Sequence, residues 1–520
     1  MLLDRFAQSS PWLGILAAII VLYWILYPYV FSPLRHIPGP WYAIYTRWWM
    51  AYKTVQGVRA KTIHDLHLRY GPWVRIAPNE VSTCDPDAII PIYGVTSKFT
   101  KTEFYTYQLR AVPELFTMAD QKQHAQRRRQ LSHIFAMSTI KEYEPIVADN
   151  VQLCMDLIAE QSRGTDGPSK GKSNLYDWFH YLSMDIICEL SFGMTFNMLR
   201  EGANSTYIQD MYGSLEIEPV RWHFGWLNKY AAWAPLKFIR DAEACSVRSM
   251  QKGVRMVRDY RVNSQDPSKR KRGKDMLQKM LAAKDEVGQP LSEDALNVEA
   301  TGLILAGSHT TSSSLTWIVW RLLRNPSILA KLNKELDQSL GTAGANISHR
   351  TVPSHAFLEP LPYLNAVIKE GLRIDTAVPG STPRYVPQGG SAISSSSMKA
   401  STYLPDHTIV SAQAYTCHRD PTVFPDPEIF SPERWLDGKE TAEMRRLYIP
   451  FGADGPRKCI GIHLAYMELR VILAALLWRF NLDLVDSGIK GRVDEDMEMH
   501  ELWLAAPKGQ RLDVVAHERL

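Results

Sequence analysis

The sequence predicts a mostly α, mixed α+β protein, and three observations lead there. Helical periodicity dominates from about residue 140 onward. Ahead of it, the stretch YGPWVRIAPNEVSTCD, Tyr70–Asp85, alternates apolar and polar residues around turn signals, which reads as a β-hairpin opening a small sheet. A chain of 520 residues with 45% hydrophobic content can also bury a large core. The net charge of +4 is too mild to argue for nucleic acid, and no module that binds it is visible. Six cysteines (Cys84, Cys154, Cys188, Cys245, Cys417, Cys459) are scattered without C-x-x-C pairing, which suits a reducing compartment and argues against a disulfide framework or zinc site.

Residues Trp12–Phe31 are apolar and uncharged, with Trp and Tyr gathered toward the far end, as in a membrane anchor and its interfacial belt. The Pro-rich SPLRHIPGP, Ser32–Pro40, follows as a stiff hinge. This divides the chain into an anchor (1–31), a hinge (32–40) and a body (41–520). Arg35, Arg47, Lys53, Arg59 and Lys61 lie after the span, which puts the body on the cytosolic side. After the hairpin, Ile90–Gly94 is expected to run into a loop. Lys98–Met118 reads as a loop with a short helix over a pocket. Asp120 then starts a helix with a basic face, QKQHAQRRRQLS. Two strong helical patterns follow in EYEPIVADNVQLCMDLIAE and YDWFHYLSMDIICELSFG, with Gly164–Gly171 as a polar loop between them. Tyr207–Phe238 is aromatic with weak periodicity. The basic run Ser264–Asp275 is an exposed loop.

Ser292 begins a pattern that reaches about Arg324 before Asn325-Pro326 stops it, roughly 50 Å of helix. In its middle, AGSHTTSSS, Ala306–Ser314, gathers small and hydroxylated residues that form helices poorly. They either open a groove or bond back to the preceding carbonyls. Glu370 and Arg373 lie three apart on a further helix, where opposite charges meet. Gly389–Ser401 is Gly and Ser rich and reads as a floppy excursion.

The stretch YIPFGADGPRKCIGIHLAYMELRVILAALLWRF, Tyr448–Phe480, places Cys459 where a glycine-rich loop becomes an apolar helix. Helix dipole, free N–H groups, Arg457 and Lys458 would all favour a thiolate, a soft-metal ligand. Gly455 and Gly461 leave space for something flat and bulky against the backbone.

Gly455, Arg457, Cys459 and Gly461 match the G-x-R-x-C-x-G core of the haem loop in the cytochrome P450 family, which this chain resembles throughout its length. The resemblance implies a haem-thiolate fold, haem b (iron protoporphyrin IX) as cofactor and Cys459 as its axial ligand. Three residues rather than the family's two separate Phe451 from Gly455, which leaves the usual packing of Phe451 on the sulfur open. The extra Asp454 carboxylate is expected to make the iron harder to reduce. By resemblance, His124 and Arg128 occupy the W-x-x-x-R positions that hold the haem propionates, histidine replacing tryptophan but keeping a ring N–H. Arg384 and Arg457 are further propionate partners, and Glu370, Arg373 and Arg434, the last from PERW, form a structural cluster beneath the haem. Thr310 would handle the oxygen being activated. His309 stands where the family carries an acid and would relay protons, bending the rate near pH 6.5. Tyr207–Phe238 would form the mobile roof of the substrate pocket.

The implied reaction inserts one oxygen atom of O2 into an apolar substrate, with electrons from NADPH through a membrane-bound reductase docked near Arg127, Arg129 and Lys458. Cytochrome b5 is a second possible donor. The implied setting is the endoplasmic reticulum membrane, single-pass, with the body cytosolic, in fungal secondary metabolism. Two alternatives stay open: a haem-thiolate isomerase or dehydratase, and a haem-binding membrane protein without turnover.

Overall fold

A computed structural model describes residues 2–106, 112–163, 171–203, 205–215, 217, 221, 223, 230, 233, 236–264, 275–341, 348, 350–395, 402–485, 492–501 and 504–519. The polar loop at 164–170, the basic run at 265–274 and most of residues 216–235 lie outside them.

The helix Glu293–Arg324 is the axis of the molecule. Ser292 caps it by accepting the Ala295 N–H, as the sequence predicts, and Asn325 ends it. It packs most extensively against Leu175–Phe192, which Asn174 caps and a left-handed Gly193 terminates. Around this pair lie Met137–Arg163, Pro362–Ile374 and Ile462–Arg479, and their apolar faces make one large core. Asp120 caps the basic helix Gln121–Ser132, also as predicted.

The predicted hairpin forms, Trp73–Ala77 against Glu80–Thr83. It belongs to a five-stranded sheet continued by Ile409–Ser411, Arg384–Tyr385 and Thr100–Lys101, so chemistry from residues 101 and 384 is brought side by side. A second core lies against this sheet. The C-terminal strand Asp513–Glu518 joins Lys172–Asn174 and Phe480–Leu484.

Three expectations are corrected. Ile90–Gly94 is not the start of a loop but the end of a helix, Pro86–Tyr93, because Asp85 caps it and Pro86 suits the first helical turn. The Gly389–Ser401 excursion carries a hairpin, Ser391–Ile393 with Thr402–Leu404, although 396–401 lie outside the described residues. The Ser32–Pro40 hinge is docked: Leu34 and Ile37 are buried in the second core, and the Pro38 carbonyl accepts the Arg75 N–H at 2.8 Å.

The expected anchor is helical, Leu2–Val30, with its apolar side chains exposed from Ile15 to Phe31. Among the described residues, no helix is long and apolar enough to cross a membrane. The side chains of residues 1–13 and 17 lie outside the described set, and what remains falls short of the about 20 residues a crossing needs.

Candidate active site

The loop before the helix Ile462–Arg479 turns at Gly452, whose φ is +80°. It closes where the Cys459 N–H donates to the Phe451 carbonyl at 2.9 Å. The Phe451 ring packs on Tyr466, centroids 5.3 Å apart, so the carbonyl rather than the ring holds the cysteine. Cys459 is exposed, whereas Cys84, Cys154, Cys188 and Cys417 are buried. A Cβ on Gly461 would meet nothing nearer than the Cys459 sulfur at 4.0 Å, so space is open there as expected. Gly455 serves a different end. A Cβ there would lie 2.0 Å from the Tyr93 carbonyl oxygen, so this glycine lets the loop dock on the helix Pro86–Tyr93. The Tyr93 hydroxyl in turn donates to the Thr382 carbonyl and accepts the Ala412 N–H.

The charge balance at the sulfur also differs from expectation. Although the residue is exposed, desolvation by the surrounding protein raises the Cys459 thiol, and the Gly461 N–H, Arg128 and Lys458 oppose that shift without reversing it. A bound metal cation is therefore what would hold the thiolate. The Arg457 guanidinium points away, donating to the Met118 and Ala119 carbonyls. Asp454 is 81% exposed and pairs with Lys458 at 2.6 Å, so its charge sits in water and is offset, and its expected effect on reduction loses its basis.

Beside the sulfur lies a cradle of cations. Arg128 donates to the Lys458 carbonyl at 2.7 Å, and Arg384 to the Tyr105 hydroxyl at 2.7 Å. Lys101, which the sequence reading missed, donates to the Phe116 carbonyl and lies over the Tyr105 and Phe116 rings. None of Lys101, Arg128, Arg384 and Arg457 forms an ion pair among the described residues. Burial and mutual repulsion push Arg457 down to about 10 and Lys101 well below its ordinary value. His124, buried among all four, is pushed to about 3 and stays neutral. Desolvated like charges without an ion-pair partner are costly, so this group is suited to receive an anion.

Gly302, Ala306 and Thr310 share one face of the central helix by their four-residue spacing. Ala306 is exposed to the groove, and the Thr310 hydroxyl, also open to it, donates back to the Ala306 carbonyl at 2.7 Å. The rest of the cluster packs. Ser308, Ser312 and Thr316 bond back to helix carbonyls, and Gly307 lets the Ile187 side chain approach closely. The structure does not bring His309 to Thr310's open side. Consecutive helix residues do not face each other, and the His309 ring lies buried against Tyr212, centroids 5.4 Å apart. Desolvation lowers it to about 4, so it carries no charge near pH 6.5.

Beneath the loop, Glu370 and Arg373 are both 0% exposed. Glu370 accepts Nε and Nη2 of Arg373 at 2.9 and 2.8 Å, Nε of Arg434 at 2.9 Å, the Ser431 N–H and the Trp435 Nε1–H. The predicted triad is thus assembled, with two partners the sequence did not reveal. A third is His418. Its Nδ1 faces the Arg373 carbonyl at 2.9 Å, and its Nε2 accepts the Ile449 N–H at 2.8 Å, linking the cluster to the cysteine loop.

A model of the cytochrome P450 family matches residues 38–510. The chain belongs to the cytochrome P450 family. This P450 is 34% identical to cytochrome P450 monooxygenase tazI of Aspergillus terreus, over 97% of this chain and 98% of that protein. It is 31% identical to benzoate 4-monooxygenase bphA of Aspergillus niger, over 98% of each. The crystal structure of the cytochrome P450DA heme domain superposes with a TM-score of 0.73 at 19% identity, covering 93% of this chain and 98% of that one. The P450 is a monooxygenase of fungal secondary-metabolism type, and its cofactor is haem b. The residues fit that group. An exposed sulfur, and beside it four cations that form no ion pair among the described residues, suit an iron-centred ring with two carboxylate arms. Arg127 and Arg129 do not form a free docking face, since Arg127 pairs with Glu299 at 2.7 Å and Arg129 with Glu286 at 2.8 Å.

Proposed function

We propose that this P450 oxidises a hydrophobic small molecule of secondary metabolism with electrons passed from NADPH by a flavoprotein reductase. The observation that carries the reading is the exposed Cys459 sulfur beside cations that form no ion pair among the described residues, with Arg128 near enough to act on the thiol. Cys459 would ligate the haem iron, and Lys101, His124, Arg128, Arg384 and Arg457 would hold the propionates. Haem supplies oxygen activation there, one atom entering the substrate and the other leaving as water. Thr310 supplies the hydroxyl on the groove wall, and it must turn from the Ala306 carbonyl to act. His309 holds the helix against Tyr212 rather than cycling a proton. The groove wall of Gly302 and Ala306 gives an apolar substrate room while the back-bonded hydroxyls keep competing polar groups occupied.

Attachment to the endoplasmic reticulum membrane through the helix Leu2–Val30, with the body cytosolic, accounts for the exposed apolar side chains between Ile15 and Phe31, which water does not favour. Reductase, with cytochrome b5 as a second donor, would approach the cysteine-loop side near Lys458. Reconstitution with reductase, NADPH and O2 tests the catalytic reading: oxygen uptake matched by an oxygenated product is expected. Substrate conversion without O2 would instead mean an isomerase or dehydratase, and binding without turnover a carrier. Removal of residues 1–31 should release much of the protein from microsomes; unchanged sedimentation would refute attachment by this helix.

A further inference from the structure

A file of aromatic rings leads away from the cysteine loop. Phe451, whose carbonyl holds the Cys459 N–H, packs on Tyr466 with centroids 5.3 Å apart. The Tyr466 hydroxyl meets the Tyr448 hydroxyl at 3.4 Å, and the Tyr448 ring lies 5.1 Å from that of Trp435, which is partly open to solvent. Burial raises both phenols, while the bond between them raises Tyr448 further and draws Tyr466 down, as a proton donated by Tyr448 does. Packing alone does not call for this pair. Two phenylalanines would fill the same space with no polar group to satisfy.

The charges around the file suit electron loss from its rings. Lys369 lies over the Trp435 and Tyr448 rings at 4.3 and 5.2 Å, and Arg470 over Tyr466 at 5.3 Å. The Lys369 charge is offset by Glu440 at 2.8 Å, and that carboxylate also acts on both hydroxyls. Trp435 gives its Nε1–H to the Glu370 carboxylate at 2.9 Å. An indole that has lost an electron becomes a stronger acid at that nitrogen, and the nitrogen already faces an anion.

We propose that Tyr466, Tyr448 and Trp435 form a radical exit path for a haem oxidised by peroxide when no substrate is present, refilled at Trp435 by a thiol, so that the protein also acts as a thiol peroxidase. Tyr466 gives an electron to the haem and its hydroxyl proton to Glu440. Tyr448 restores it by passing a hydrogen atom across the hydroxyl pair. Trp435 then gives an electron to Tyr448, which takes back the proton from Glu440, and the thiol gives an electron to Trp435. Two such passages turn one peroxide and two thiols into two waters and one disulfide.

The test exposes the haem-loaded, substrate-free protein to hydrogen peroxide. It reads radicals by freeze-quench electron paramagnetic resonance, oxidised side chains by peptide mass spectrometry, and haem bleaching by absorption. In the wild type, Trp435 should be the main protein lesion. Glutathione should suppress that lesion, slow bleaching several-fold and emerge as its disulfide. Y466F should lower Trp435 oxidation and speed bleaching several-fold, with glutathione no longer protecting. Y448F should leave the radical on Tyr466 and likewise spare Trp435, whereas Y403F, altering a half-exposed tyrosine on the hairpin Ser391–Leu404, should behave as the wild type. Equal Trp435 oxidation in the wild type, Y466F and Y448F overturns the proposal, because peroxide then reaches the indole from solution. So does glutathione protection that survives Y466F. Both variants keep their rings, and an unchanged CO-bound ferrous band shows an intact haem site. Product formed by Y466F with reductase, NADPH and substrate keeps a failure here separate from the monooxygenase reading.

Discussion

Two groups of buried charge flank the cysteine loop, and they solve the same problem in opposite ways. Around Glu370, each charge meets its counter-charge, and the guanidinium and carboxylate valences left over go to Trp435, Ser431 and backbone carbonyls. In the cradle, Lys101, Arg128, Arg384 and Arg457 form no ion pair among the described residues, and their hydrogen bonds go to Tyr105 and carbonyl oxygens. The first group is finished when the chain folds. The second is finished only by an anionic ligand. Buried charge is thus structural where it is closed and functional where it is left open, a distinction that burial alone does not make.

Glu370→Ala should break the comparison most severely. It leaves Arg373 buried without a counter-charge, a loss of about 3–5 kcal/mol for a broken buried pair. Denaturant unfolding should show this in both apo and haem-loaded protein; equal stability of variant and wild type would refute a structural role. Cys459→Ala comes next: the red-shifted CO-bound ferrous band should vanish while far-UV circular dichroism keeps its helical signature. A surviving band would mean that another residue ligates the iron.

Arg384→Leu and Arg457→Leu should separate the two groups by sign. Each should weaken haem retention, seen as faster transfer of haem to apomyoglobin. Each should leave the apo protein as stable as the wild type or more so, because a repulsive charge has gone. An apo protein destabilised as much as by Glu370→Ala would mean that the cradle is structural after all.

The smallest effects are those of pH. Burial holds His418 at about 3, against about 6.5 in an unfolded chain. Between those values the unfolded state binds more protons, so its contribution is complete above about 6.5 and fades as pH falls toward 3. Glu468 is the reverse. Burial raises it to about 8 where Thr311 donates to it at 3.0 Å, so its contribution is complete below about 4.5 and is lost as pH rises through 8. Thermal melts from pH 5 to 9 should show Glu468→Gln flattening the decline between about pH 5 and 8. Coincident slopes over that range would rule out Glu468 as its source.

What the sequence made legible was local. Asp120 and Ser292 cap the helices they were expected to start, and Glu370 meets Arg373 because three residues make almost one turn. What it hid was distant. Trp435 and His418 join the cluster through contacts spanning 65 and 45 residues, which no periodicity encodes. Gly455 was assigned to ligand space on its motif, yet its reason is a carbonyl of Tyr93. His309 was assigned to the iron side on its neighbour's account, although one helical step turns a side chain by about 100°. The helix Pro86–Tyr93 was within reach of sequence reasoning, since Asp85-Pro86 is a cap followed by a favoured first residue. Lys101 was not, because only strand pairing with Arg384 places it in the cradle.

The docking of Gly455 on Tyr93 also sets a clock. The cysteine loop rests on a helix made from the first fifth of the chain, and the cradle joins residue 101 to residue 457. Loops of that length close slowly and only after most of the polypeptide exists. A ribosome must therefore finish nearly all of this protein before the haem-receiving surface can assemble, so cofactor capture belongs to the end of biogenesis, and a chain truncated before the cysteine loop lacks both the sulfur and the Arg457 cation that complete the site.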